Sequence, residues 1–370
     1  MAGIYLDANA TTPLSREVMA EMMPALTEHF ANPSSVHKPG QDARALVDIA
    51  RERCAKALGC APKEIIFTSG GTEADALAIL GLRPRKVVTT AIEHPAVLGA
   101  CASVSEVVRV PVSASGALDF DFLRGALEGA SLCSVMAANN ETGIVFPLRD
   151  VAVLCRNAGV PLHVDAVQAA GKLPLDFSWD LLSLSAHKIR GPKGAGLLAC
   201  RGPKLHALLA GGHQERGRRG GTENVPGIVG LGSALSRATS LEGVSRLTAL
   251  RDRLQAAALA IPGARVAGLA ASRVCNTLNV AFEGCDGETL LAALDLEGIC
   301  VSTGSACSSG SVEPSPVLLA MGYSPNIARG ALRFSLWDGN TDAEIDRVIS
   351  LLPAIVHRAR RSSPDVERQR

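Results

Sequence analysis

Thr68-Ser69-Gly70-Gly71-Thr72-Glu73-Ala74 decides how this chain is read. The run closes an apolar stretch, residues 64–68, with the make-up of a buried strand, and it opens a helical pattern over 72–80. A glycine pair at such a junction lets another group approach the backbone closely. The first N–H groups of the helix then point outward, with the positive end of the helix dipole behind them. With the Thr72 hydroxyl as a further donor, Gly71 and Thr72 form a candidate phosphate cradle. The same residues also make an ordinary strand-to-helix turn with Thr72 or Ser69 as N-cap, so alone the run leaves both readings open.

Around it, apolar runs alternate with amphipathic stretches. Further strands are expected at 86–90, 107–110, 132–137, 161–165, 181–185 and 196–200, and helices at 40–58, 120–128 and 148–158. This alternation is that of an α/β protein with a mostly parallel central sheet flanked by helices. A long helix is expected over 234–260, stopped by Pro262-Gly263 at a domain boundary. Beyond it, a strand at 277–282 and helices at 287–297 and 345–359 suggest a smaller α+β domain. The large domain is expected at about 15–250, with 1–14 and 251–370 in the small one. The Gly194–Ala199 spacing imitates a dinucleotide fingerprint, but it leads into a strand rather than out of one, so nicotinamide binding is not the reading.

Composition narrows the function classes. The 370 residues are 47% hydrophobic and 20% charged, with a net charge of +1. A balanced charge argues against a polyanion binder, and the apolar fraction argues against disorder. No apolar run approaches the ~18 residues of a membrane span, and the first residues lack a leader-like pattern. A soluble, cytoplasmic protein with neither nucleic-acid nor membrane partners is expected. The ten cysteines show no C-x-x-C pair, and the histidines no H-E-x-x-H spacing, so reduced thiols and no metal site are expected. Most cysteines sit among apolar neighbours. Cys307 does not: it lies in the small-residue stretch Ser302-Thr303-Gly304-Ser305-Ala306-Cys307-Ser308-Ser309-Gly310-Ser311.

Two more strand ends carry chemistry. In His163-Val164-Asp165-Ala166-Val167-Gln168, an aspartate closes an apolar strand, where burial is costly unless a cation pairs with it; a helix N-cap is the plainer alternative. In Ser183-Leu184-Ser185-Ala186-His187-Lys188, one of only eight lysines (against 29 arginines) follows a strand and a histidine. In α/β sheets, ligands bind at the carboxyl ends of strands. A phosphate cradle, a buried carboxylate and a lysine at three such ends are what a phosphorylated pyridine aldehyde requires.

The chain resembles the cysteine desulfurases of the NifS/IscS type, within the fold-type I (class V aminotransferase) pyridoxal-phosphate enzymes. The resemblance rests on Tyr5-Leu6-Asp7-Ala8-Asn9-Ala10-Thr11-Thr12-Pro13, Asn32-Pro33-Ser34-Ser35-Val36-His37, Gly71-Thr72-Glu73, Glu93-His94 and Asn139-Asn140-Glu141-Thr142-Gly143. It continues through the Asp165 and Lys188 runs, Gln214 to Asn224, Ser305-Ala306-Cys307 and Leu332-Arg333-Phe334-Ser335-Leu336. The Gln214 to Asn224 run resembles the NifS branch, associated with nitrogenase maturation.

The resemblance implies a fold-type I enzyme that converts L-cysteine to L-alanine and passes sulfur to an enzyme cysteine for iron–sulfur cluster assembly. Its cofactor would be pyridoxal 5'-phosphate, linked covalently to Lys188, which then moves the substrate's α-proton. Asp165 would pair with the ring nitrogen, Gln168 would reach the phenolic oxygen, and His94 would stack on the ring. Gly71, Thr72, Ser185 and His187 would bind the phosphate, with Thr222 reaching it from the other subunit of a homodimer. Asn140 and Arg333 would hold the substrate, a guanidinium being suited to a bidentate grip on a carboxylate. Cys307 would receive the sulfur and hand it to an iron–sulfur scaffold or other acceptor protein. Ala76 and Ala186 depart from the family's usual residues without removing a catalytic group. The rival readings are a selenocysteine lyase and a non-catalytic thiol scaffold that kept the fold.

Overall fold

The computed structural model describes residues 3–303 and 313–361. A short strand, β1 (Ile4–Tyr5), precedes seven strands of one sheet: β2 (Ile65–Thr68), β3 (Lys86–Thr90), β4 (Glu106–Val110), β5 (Leu132–Met136), β6 (Leu162–Asp165), β7 (Leu181–Ser185) and β8 (Gly196–Cys200). Each lies within one residue, at either end, of the strand expected from sequence. Their order is β2-β8-β7-β6-β5-β3-β4, and β8 alone runs against the other six.

The sheet's strands are apolar on both sides because both faces are covered. Ile65 and Phe67 of β2 face one core, with Val88, Val135 and Leu182, whereas Ile66 faces the other, with Val87, Leu132 and Leu181. The Gly71–Leu80 helix supplies Ala74, Leu77 and Ala78 to that second core. Lys38–Leu58 and Val225–Ala238 cover the opposite face.

A second, antiparallel sheet joins β9 (Ala264–Val266), β10 (Thr277–Phe282), β12 (Ser302–Thr303) and β13 (Ala331–Ser335) in the order β12-β13-β10-β9, while β11 (Ile299–Cys300) pairs in parallel with β1. Helices Val244–Leu259, Gly287–Leu296 and Asp342–Arg361 pack on it around Leu254, Leu278, Val280, Phe334, Val348 and Ile355. The N-terminal segment is tied to this sheet by a bridge from Asp7 to Ser335.

One expectation is corrected. The single helix expected over 234–260 is two, Val225–Ala238 and Val244–Leu259. Between them Leu241 and Gly243 adopt positive φ, 53° and 83°, which a continuous right-handed helix does not accommodate. Ser240 reinforces the break, its hydroxyl accepting from the Glu242 N–H.

The fold brings the carboxyl ends of β2, β6 and β7 to one edge, with the start of β8 between β2 and β7: Gly196 pairs with both Thr68 and Ser185. A Cβ at Gly196 would stand 2.7 Å from Gly70 Cα and 2.8 Å from Leu184 O, so this close approach needs glycine. Among the described residues no helix is long and apolar enough to cross a membrane.

Candidate active site

The cradle forms where the glycine pair leaves the backbone bare. Gly71 opens the ten-residue helix, whose first-turn N–H groups have no partner within the helix. A Cβ at Gly70 would meet nothing within 4 Å, whereas one at Gly71 would lie 2.9 Å from Val167 Cγ2 and 3.6 Å from Ser185 Cβ. Gly71 and Ser185 therefore adjoin across the β2–β7 gap. Thr72 is exposed on the first turn. Glu73 braces the turn: its carboxylate accepts from the Ser69 N–H at 2.7 Å and from Arg219 Nε at 2.9 Å.

Asp165 ends β6 and is buried, with Oδ1 accepting from the Val167 N–H at 2.9 Å. Burial raises its pKa, and the nearby His94 and Lys188 oppose that rise. His94 caps the Pro95–Cys101 helix, its Nδ1 accepting from the Ala96 N–H at 3.1 Å. Burial holds His94 below the usual histidine range, Asp165 opposing and Lys188 reinforcing. Lys188, Asp165 and His94 thus lie near enough for their charges to bear on one another.

Beneath Asp165 lies a buried polar layer. His163 bridges Ser134 Oγ at 2.8 Å and Ser183 Oγ at 2.9 Å. Asp75 Oδ1 lies 3.6 Å from His163 Nε2 without a hydrogen-bond partner. Burial pushes His163 down to about 3 and raises Asp75 as well, so His163 is neutral and this contact is not an ion pair.

The Asp7-to-Thr12 segment straps over the lysine. Lys188 Nζ donates to the carbonyls of Asn9 (2.6 Å) and Ala10 (2.8 Å). Thr12 binds the His187 carbonyl through both N–H and hydroxyl, and His187 Nδ1 lies 3.2 Å from Thr11 Oγ1. Burial, with Lys188 and Lys193 beside it, pushes His187 down to about 4, so it would meet a phosphate first as a neutral N–H donor. Gln168 is buried and donates from Nε2 to the Asn9 carbonyl at 3.0 Å.

Arg333, on β13, is 2% exposed; Nη2 donates to Asp7 Oδ1 at 2.8 Å and Nη1 to the Asn140 carbonyl at 3.2 Å. Its Nε is buried without a partner. The structure thus brings Asn140 and Arg333 together, and Arg333 retains N–H donors for a carboxylate.

Thr222 stands apart from this cluster, exposed on its own chain. The turn before it is anchored under β2 by a buried bidentate pair, Arg51 to Glu215 at 2.7 and 2.9 Å, with Arg51 over the Phe67 ring. Cys307 lies outside the described residues; of the nine described cysteines, all reduced, seven are buried. Sequence reasoning named Asn9 only within a run and did not single out Lys172. The signal available was a buried asparagine in a run of small residues, and a lysine following Gly171 four residues beyond Gln168.

A lysine, a buried carboxylate and a bare helix start thus come to one sheet edge. The chain belongs to the aminotransferase class-V family, whose model matches residues 4–348. It is 48% identical to cysteine desulfurase 2 of Trichormus variabilis, over 98% of this chain and 96% of that protein. It is 46% identical to cysteine desulfurase NifS of Azotobacter vinelandii, over 98% and 95%. Among solved structures it superposes on a NifS-like protein with a TM-score of 0.90 at 37% identity, covering 96% of this chain and 99% of that one. It superposes on SspA in complex with cysteine with a TM-score of 0.79 at 33% identity, covering 90% and 98%.

Proposed function

We propose that this protein is a pyridoxal-phosphate-dependent cysteine desulfurase that turns L-cysteine into L-alanine and passes the sulfur on for iron–sulfur cluster assembly. The observation that carries the reading is the meeting of Lys188, Asp165 and the Gly71–Ser185 cradle at one sheet edge. The residues fit the cofactor. The open space at Gly70 leaves room at the helix start for a phosphate, where Thr72, Ser185 and His187 are donors. Asp165 stands ready for a ring nitrogen, Gln168 for a phenolic oxygen and His94 for the ring face. Pyridoxal phosphate, when bound, supplies a ring that withdraws the electron pair from the substrate's α-carbon.

The chain's own residues do the rest. Lys188 holds the cofactor through Nζ and then moves the α-proton from that same atom. Burial leaves Asp165 reluctant to ionise alone, so a cation opposite its carboxylate is strongly favoured. Arg333 and Asn140 hold the substrate carboxylate. Cys307, read from the sequence alone, supplies the thiolate: its sulfur bonds to the substrate sulfur, and the carbon–sulfur pair returns to carbon. The β-carbon takes up the proton that the Cys307 thiol gave up, and Lys188 returns the α-proton to the α-carbon, which completes alanine. The active unit is a homodimer in which Thr222 of the partner subunit reaches the phosphate.

Cys307→Ser tests this reading. The variant keeps cofactor binding and the colour change on adding L-cysteine, but alanine release falls by about a hundredfold or more, because a hydroxyl is hardly ionised at neutral pH. Wild-type alanine release would move the sulfur to another cysteine. Loss confined to L-cysteine, with selenocysteine still consumed, would favour the lyase.

A further inference from the structure

Four residues beyond Gln168, Lys172 spends its ammonium inside the protein. Nζ donates to Gln168 Oε1 at 2.5 Å and to Asn9 Oδ1 at 3.3 Å. Burial pushes its pKa down to about 7, with Cys275 opposing and Lys188 and Arg333 reinforcing. A half-buried lysine is costly where a methionine would pack as well. What it provides is a sign. An ammonium only donates, so the side-chain amides it touches must turn their oxygen ends toward it.

That sign propagates. With Oε1 held by Lys172, Gln168 presents its NH2 to the Asn9 carbonyl, the same oxygen that receives Lys188 Nζ. Asn9, with Oδ1 turned to Lys172 and to Asn276 Nδ2 (3.1 Å), directs its Nδ2 to Thr277 Oγ1 (2.8 Å) and the Asn140 carbonyl (3.0 Å). Asn276 is fixed in turn by the Leu336 carbonyl at 3.0 Å. Below about pH 7, where Lys172 carries its proton, neither amide can flip without pointing an NH2 group at an ammonium.

Resting on the cofactor assignment above, we propose that Lys172 is a positioning residue: it locks the amide of Gln168 so that the NH2 end, never the oxygen, faces the phenolic oxygen of the cofactor. A flipped glutamine would set oxygen against oxygen there. The lock also fixes Asn9, and with it the carbonyl that steers Lys188.

The readout is the pH at which the visible absorption band of the bound cofactor shifts, measured on holoenzyme. Without a donor, the phenolic oxygen holds more tightly the proton it shares with Lys188 Nζ, so the midpoint moves to higher pH. Lys172→Met raises it by about 0.5 to 1 pH unit. Gln168→Met raises it at least as much, since the Asn9 carbonyl still favours the NH2 end of Gln168 when Lys172 is absent, and the double variant goes no further than Gln168→Met, because both changes act through one interaction. Lys172→Arg, which keeps a donor-only group, stays at the wild-type midpoint. If Lys172→Met fails to fold, Lys172→Gln, which permits either amide orientation, shows a partial upward shift. A purely structural lysine would lower the thermal midpoint of the cofactor-free protein and leave the spectral midpoint in place. That result, or additive shifts in the double variant, would overturn the proposal while leaving the desulfurase reading intact. Absence of any titrating band in the unmodified protein would remove both.

Discussion

Gly71 and Val167 meet where two strand ends converge: a Cβ built on Gly71 would lie 2.9 Å from Val167 Cγ2. Val167 sits between Asp165 and Gln168, so this contact couples the phosphate end of the site to the ring end. A valine methyl cannot swing away as a long side chain can, since its rotamer is restricted.

Gly71→Ala should therefore weaken cofactor binding by about tenfold, the scale of overpacking by one methyl. The added methyl meets Val167 whether or not the cofactor is bound, so the cofactor-free protein should also lose about 1 kcal/mol or more of stability. Gly71→Ala with Val167→Ala restores space and should recover most of the affinity. Cofactor titration by absorbance reads all three; an unrescued double variant would show that the clash is not the cause.

Asp165→Asn separates chemistry from stability. Burial raises the Asp165 pKa, so a neutral amide of the same shape costs the empty protein little and its thermal midpoint holds or rises. A neutral amide cannot stabilise a ring cation, so turnover should fall by about a hundredfold or more. Equal turnover would remove Asp165 from its role.

Glu93 gives the fold a pH dependence. Its carboxylate accepts from Thr90 Oγ1 at 2.7 Å and the Met136 N–H at 3.0 Å, with Oε2 unpartnered. Burial pushes its pKa up to about 8 from 4.5, with Asp165 adding to the rise. Between those values the folded chain keeps a proton that the unfolded chain releases, so this contribution is full below about 4.5 and lost as pH rises through about 8. Glu93→Gln removes the titration. Its thermal midpoint relative to wild type should climb between pH 5 and pH 8, and a difference constant across that range would contradict the burial argument.

The strands of the large sheet were legible because each is a short apolar run bounded by turn residues; their order, β2-β8-β7-β6-β5-β3-β4, was not, because it joins segments far apart in the chain. The positions of Asp165 and Lys188 were legible for a related reason: Asp165 is the last residue of β6 and Lys188 lies three residues beyond β7, where apolar runs give way to polar side chains. Asn9 and Lys172 were not. Their meaning lies in hydrogen bonds spanning more than 150 positions, Asn9 to Gln168 and Lys172 and onward to Asn276, and no local pattern records those. The helix break at Leu241 was missed because Thr239, Ser240 and Glu242 do not interrupt an amphipathic pattern; only the backbone at Leu241 and Gly243 does. The roles of Cys307 and Thr222 came from family resemblance, one in a stretch outside the described residues and the other on the exposed surface of a single chain.

The most direct measurement is alanine release from L-cysteine by Lys188→Ala beside the wild type, both saturated with pyridoxal phosphate and a thiol reductant. The wild type should release alanine over many turnovers. Lys188→Ala should keep the Gly71–Ser185 cradle and bind the cofactor without a covalent link, yet release alanine at least about a thousandfold more slowly, having lost the amine that moves the α-proton. Alanine release by Lys188→Ala within a few-fold of the wild type would contradict the account.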